Sequence, residues 1–180
     1  MPLIPFAQLP DNARLWTFAA ARRLTAQEAR PFLAATDEFL VRWTAHKVPL
    51  ATAREWRFDQ FLFVAVNEAA AGASGCSIDA LVHFMRDAEK LLGVRLTDNG
   101  LVWFRNAGGD VVATSRADFQ RLADTGTVDP DTVVFDNALI TVGALREGKW
   151  EIPASRSWHS RAFFPAPTSP LSRMGEGDRG

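Results

Sequence analysis

Residues 61–92 read FLFVAVNEAAAGASGCSIDALVHFMRDAEKLL, and their reading sets the fold. An apolar run ends at Asn67-Glu68, a loop of small residues follows, and an amphipathic segment closes the stretch. The order is a buried strand, a tight loop and a helix N-terminus. Helical spacing gathers Ile78, Leu81, Val82, Met85, Ala88, Leu91 and Leu92 on one face. It leaves Asp79, His83, Arg86, Asp87 and Lys90 on the other. Ser77 is the expected N-cap and Gly93 the expected residue just past the C-terminus. Cys76, the one cysteine of the chain, then falls just before the first turn. Unpaired backbone N–H groups there favour a thiolate and can hold an anion. Two readings of Cys76 stand side by side: a small residue packed where strand becomes helix, or a reactive thiol in an anion-binding loop. Gly72 and Gly75 suit both, since each allows a sharp turn and a close backbone approach.

Upstream, residues 14–21 (RLWTFAAA) read as a first strand. Thr25-Ala-Gln-Glu28 has the form of a capping box and opens a helix directed toward His46, with Pro31 expected to kink it or delay its start. Residues 55–68 read as one strand, half-exposed at first and buried on both faces later. Downstream, residues 94–96 and 101–105 are expected as short strands, and residues 111–114 as the hairpin partner of the second. Ser115-Arg-Ala-Asp118 opens a short helix. Residues 132–135 form another strand, and residues 140–142 a last short one. Residues 164–180, rich in Pro, Ser, Gly and charge, read as a disordered tail. The expected class is α+β: a strand-helix-strand-helix region over residues 1–93, a small β-β-α-β unit with an extension over 94–163, and the tail.

Composition narrows the function. The 180 residues carry a net charge of −1, which makes no electrostatic case for nucleic acid or an anionic membrane. A single cysteine excludes an internal disulfide and a CxxC site. The three histidines, His46, His83 and His159, show no metal-ligand spacing, so no metal or cofactor is expected. No apolar run reaches membrane-spanning length and residues 1–10 lack a signal-peptide pattern, so a cytoplasmic location is the default. Six tryptophans and thirteen phenylalanines, against no tyrosine, make aromatic burial the expected core.

Motifs with chemistry are few. Gly143-Ala-Leu-Arg-Glu-Gly148-Lys149-Trp150 approaches a phosphate-binding loop, but Trp150 replaces the Ser or Thr that would reach magnesium. For nucleophilic catalysis, Cys76 would use His46, His83 or His159 as base, with Glu68 orienting one of them. Ser74, Gly75, Ser77 and Asp79 would supply the anion cradle with the backbone N–H groups. Asp79 and His83 are four residues apart on one helix face and could pair. The competing reading makes His83 a solvated surface residue, His46 a helix-end residue and Trp158-His159 an aromatic anchor.

Several runs resemble a bacterial family found chiefly in Bacteroidetes-type genomes. They are Leu9-Pro-Asp11 with Arg14-Leu-Trp16, Trp43-Thr-Ala-His46, Ala73-Ser-Gly-Cys-Ser-Ile-Asp79 with His83-Phe84, and Trp150-Glu-Ile-Pro153 with Ser157-Trp-His159. Members often carry the label "ABC transporter ATPase". This chain has no Walker A, Walker B or LSGGQ-like sequence, so it is not read as an ABC ATPase, and the resemblance implies no reaction. A second run, VWFRNAGGDVVATSRADFQRLADTGTVDPDTVVF within residues 101–142, is similar to the GYF-type module, which implies protein–protein contact. The Gly-Tyr-Phe signature itself is missing. Two functions are therefore expected: a thiol-centred or small-anion site at residues 74–79, or a non-enzymatic contact module in the GYF-like half, with Trp103 as an exposed anchor.

Overall fold

The computed structural model describes residues 3–69 and 71–165. After a single 3-10 turn at Phe6–Gln8, the chain enters β1 (Arg14–Ala19). Helix α1 (Ala26–Arg42) opens on the capping box: Thr25 Oγ1 accepts from the Glu28 N–H and the Glu28 carboxylate accepts from the Thr25 N–H. It starts where the box places it, with Pro31 inside, so the delayed start does not occur. It stops short of His46 because Trp43 turns extended, buries its ring and donates its indole N–H to Ser77 O at 2.8 Å. A small hairpin, β2 (Thr44–Ala45) and β3 (Val48–Pro49), follows, with His46 and Lys47 at φ 50° and 68° in its turn.

The strand expected over residues 55–68 is a hairpin instead, β4 (Ala51–Arg57) and β5 (Phe61–Asn67). Phe58 and Asp59 take φ 55° and 54° at its turn, a left-handed conformation that no glycine signalled. Gln60 holds the turn in place, donating its side-chain Nε2 to Ala20 O at 2.9 Å and accepting from the Ala20 N–H through its main-chain carbonyl. Helix α2 (Gly75–Leu92) is capped by Ser74 rather than Ser77, and Gly93 closes it at φ 62°.

Residues 94–96 form no strand, although the Arg95 and Leu96 carbonyls accept from Ala21 and Ala19 N–H along the edge of β1. Then come β6 (Leu101–Arg105), β7 (Val111–Ser115), α3 (Arg116–Asp124) and β8 (Val133–Phe135), the expected β-β-α-β order. The strand expected at residues 140–142 is a lone bridge between Arg14 and Thr141. Thr141 Oγ1 accepts from the Ala144 N–H, and this cap starts α4 (Val142–Arg146). The chain continues through β9 (Glu151–Pro153) and α5 (Trp158–Phe163). Most of the expected tail, residues 166–180, lies outside the described residues.

The class is α+β, built in four layers. The first sheet, in the order β1-β5-β4, has β5 at its centre, and Phe61, Leu62, Phe63, Val64, Ala65 and Val66 are all fully buried. Alternation explains this: Leu62, Val64 and Val66 pack with Leu40, Trp43, Leu81 and Met85 of the α1 and α2 side, while Phe61, Phe63 and Ala65 face the other way. There they meet Trp103, Val111, Phe135 and Trp150 of the second half of the chain, whose sheet runs β7-β6-β8-β9. The far face of that sheet, with Val102, Phe104 and Val134, is covered by Phe119 and Phe163. The middle layer thus joins residues 1–93 to residues 94–163 through one aromatic core. Trp103, expected as an exposed anchor, is buried within it and donates its indole N–H to Ala20 O at 2.9 Å. Among the described residues, no helix is long and apolar enough to cross a membrane.

Candidate functional site

The residue 74–79 junction is held by its own groups. Ser74 Oγ accepts from the Ser77 N–H, and Ser77 Oγ donates to Ser74 O at 2.8 Å. Ser77 is buried, and its carbonyl accepts the Trp43 indole. The Glu68 carboxylate accepts from the Ala73 N–H at 3.1 Å across the loop and lies 3.7 Å from the Arg14 guanidinium. Gly75 and Cys76 begin α2 itself, and the thiol is exposed. No described residue hydrogen-bonds the Cys76 sulfur.

The three histidines fall in three different places. His83 bonds the Asp79 carbonyl oxygen through Nδ1 at 2.7 Å, not the Asp79 carboxylate, so Nδ1 carries the proton. Cys76 and His83 are seven residues apart on α2, about 10.5 Å along the axis at about 1.5 Å per residue. His46 sits exposed at the tip of the β2–β3 hairpin. His159 is buried in the aromatic layer behind the second sheet. Among the described residues, no group of three or more His, Cys, Asp and Glu side chains is placed to hold a metal ion. The Gly143–Lys149 run forms α4 and its exit: the Gly143 N–H donates to Asp11 O, and the helix precedes the Gly-Lys pair instead of following it.

A better furnished site opens where the seam between the two sheets reaches the surface. A groove of about 530 Å³ is bounded there by β1 at Thr17–Ala19, by Val82 and Arg86 of α2, by the loop at Leu96–Asn99, by Arg116 at the start of α3, by Asn137 and Ala138, and by Trp158 and His159. Arg86 and Arg116 are exposed, and neither forms an ion pair among the described residues. The Arg116 guanidinium lies over the Trp158 ring, 4.9 Å from its centroid, which limits its freedom. Asp98, the carboxylate of the groove, is already engaged: Arg95 and the Gly100 N–H hold its pKa below the ordinary range. The two uncommitted charges of the groove are both positive.

His159 forms part of the wall. It stacks on Trp158 with centroids 3.8 Å apart, and its Nδ1 lies 2.7 Å from Ser157 Oγ. Burial, helped by the Arg116 charge, lowers the His159 pKa to about 4. The imidazole is neutral at pH 7.

Two polar atoms in the wall lack partners, Thr17 Oγ1 and Asn137 Nδ2. The Asn137 amide is oriented by Trp150, whose indole N–H is a donor only and takes Oδ1 at 3.0 Å. Thr17 lies on the same face of β1 as the buried Leu15 and Ala19, turned toward the second half of the chain. Of the catalytic and anion-binding candidates named from sequence, His159 alone reaches this groove; Trp103 and Trp158, named as aromatic anchors, line it as well. Arg86, Arg116, Thr17 and Asn137 were missed. One signal was present: Thr17 is a polar residue at a position whose strand neighbours of the same parity are apolar and buried.

No family model, curated protein or solved structure matches the chain.

Proposed function

We propose that this protein binds a small anion in the groove at the seam of its two sheets. The observation that carries the reading is the pair Arg86 and Arg116, two guanidiniums that have no carboxylate partner among the described residues and flank one cleft in a chain of net charge −1. A guanidinium offers a planar fork that matches carboxylate or phosphate oxygens two at a time. Stacking on Trp158 presets Arg116, so less freedom is lost when an anion docks. A groove of this volume suits a small molecule.

The test is isothermal titration calorimetry of the full chain with phosphate, sulfate and acetate. Arg86→Ala and Arg116→Ala should each weaken binding at least about tenfold, as expected for loss of a charge-assisted contact worth about 1.5–3 kcal/mol. Cys76→Ser should leave it unchanged. Absence of saturable binding by every anion, or unchanged affinity with both arginines replaced, refutes the reading. A thiol-centred role at residues 74–79 is the second reading, and the exposure of Cys76 in the first turn of α2 favours it. Alkylation by iodoacetamide across pH tests it: an apparent thiol pKa near about 8.5, the value of a free cysteine, removes the case for an activated sulfur.

A further inference from the structure

The outer edge of β1 is paired at both ends and open in the middle. At one end the Leu15 N–H donates to Ile140 O at 2.9 Å and the Val142 N–H to Ala13 O at 3.0 Å. At the other end the Ala19 N–H donates to Leu96 O at 3.2 Å and the Ala21 N–H to Arg95 O at 3.0 Å. Backbone groups of an antiparallel strand point alternately to its two sides. Leu15 and Ala19 point away from β5, so Thr17, midway between them, does the same. No described residue bonds the Thr17 N–H or its carbonyl. Thr17 lines the groove, and this unpaired peptide group lies on the β1 edge between Leu96 and Ile140, with an unpaired hydroxyl on the same residue.

An unpaired strand edge is a template for another extended segment. Here the template is short. Leu15 and Ala19 are four residues apart, about 13 Å at about 3.3 Å per residue, and Ile140 and Leu96 occupy its two ends. One extended residue fits opposite Thr17, and a long strand does not. The positive charges of Arg86 and Arg116 flank the same cleft.

We infer that the groove takes a small extended acid of the N-acyl dipeptide type. Its first residue exchanges two hydrogen bonds with the Thr17 main chain, and its terminal carboxylate rests on Arg86 and Arg116. This rests on the anion-binding reading and adds a demand that a simple anion does not meet, a main-chain amide at a fixed offset from the charge. Thr17 Oγ1 and Asn137 Nδ2 lie in the same wall.

Calorimetry on the full chain tests it with four probes: N-acetyl-alanyl-alanine, its C-terminal carboxamide, the ester analogue O-acetyl-lactyl-alanine, which lacks the first N–H, and acetate. The dipeptide acid should bind at least about tenfold more tightly than acetate, and the carboxamide at least about tenfold more weakly than the acid, the step expected for a charge-assisted bond. The ester should bind about 2- to 12-fold more weakly than the amide, the range for one lost hydrogen bond. Acetate binding as tightly as the dipeptide, or an ester as tight as the amide, overturns this inference and leaves the anion site standing. No binding by the dipeptide, acetate or phosphate overturns both.

Discussion

His159 makes the wall of the groove sensitive to acid, and the effect has a definite size. Its imidazole is 1% exposed, stacked on Trp158 and packed with Phe119 and Phe163, with the Arg116 charge nearby. The native pKa is about 4, against an ordinary value of 6.5 in the unfolded chain. Between those values the unfolded state binds more protons than the native state. The contribution is therefore complete above about pH 6.5, is lost as the pH falls toward about 4, and changes no further below that. The full shift corresponds to about 3 kcal/mol, and about 2 kcal/mol of it is lost by pH 4.5, where the native ring is still mostly neutral. Many carboxylates titrate in the same range, so the comparison must be internal. His159→Phe keeps an aromatic ring and removes the proton site, and Ser157 Oγ still has Ala154 O as acceptor. Urea unfolding of both proteins at pH 7.5 and 4.5 gives two pH-dependent losses. The wild-type loss should exceed that of the variant by about 2 kcal/mol. Equal losses would show that the ring protonates as easily in the native protein as in the unfolded one, and the account of a dry neutral imidazole would fail.

Lys47 holds φ 68° in the β2–β3 turn with no glycine to ease it; Lys47→Gly should raise stability by about 1 kcal/mol, measured as an increase of a few degrees in the melting temperature. A Cβ on Gly143 would stand 2.9 Å from the Asp11 carbonyl oxygen, so Gly143→Ala should lower stability by about 1–3 kcal/mol in urea titrations. Thr17→Val removes an unpaired buried hydroxyl and should raise stability by about 1 kcal/mol while leaving the main-chain notch in place, as urea unfolding would report. Cys76 is exposed, so iodoacetamide should label the folded protein at a rate close to that in urea, and Cys76→Ser should shift stability by less than about 0.5 kcal/mol.

What the sequence made legible follows from the range of the forces involved. Thr25 and Glu28 announced the start of α1 because a capping box acts within four residues. The heptad-like spacing of Leu81, Met85 and Ala88 announced the buried face of α2 for the same reason, although Leu91, which the same spacing placed on that face, is 89% exposed. The β4–β5 turn was hidden because Phe58 and Asp59 adopt a left-handed conformation ordinarily signalled by glycine, and Gln60 stabilises it through Ala20, forty residues away. Trp103 read as an exposed anchor because nothing near it in sequence shows that the face opposite is Phe61. The groove was illegible for a related reason. Arg86 read as one more charge on a solvated helix face, and only the packing of the two sheets brings that face alongside Arg116 and Thr17.

The position of the groove is itself a consequence of the middle core. Phe61, Phe63, Phe135 and Trp150 fill the seam with ring centroids about 5 Å apart, which leaves no room for water or a partner there. At its other margin the side chains become short: Ala19 and Thr17 on β1 face Asn137 and Ala138 across the seam. Short side chains leave a gap, and the backbone edge of β1 stays uncovered within it. An unpaired hydroxyl and an unpaired amide each cost about 1–3 kcal/mol when buried. An apolar pair such as Val and Leu would avoid that cost and close the seam. The chain instead carries Thr17 and Asn137 where the edge is open and places Arg86 and Arg116 beside them. Those four residues and the unpaired Thr17 peptide group suit an occupant that is polar and negatively charged, which is the reading proposed above.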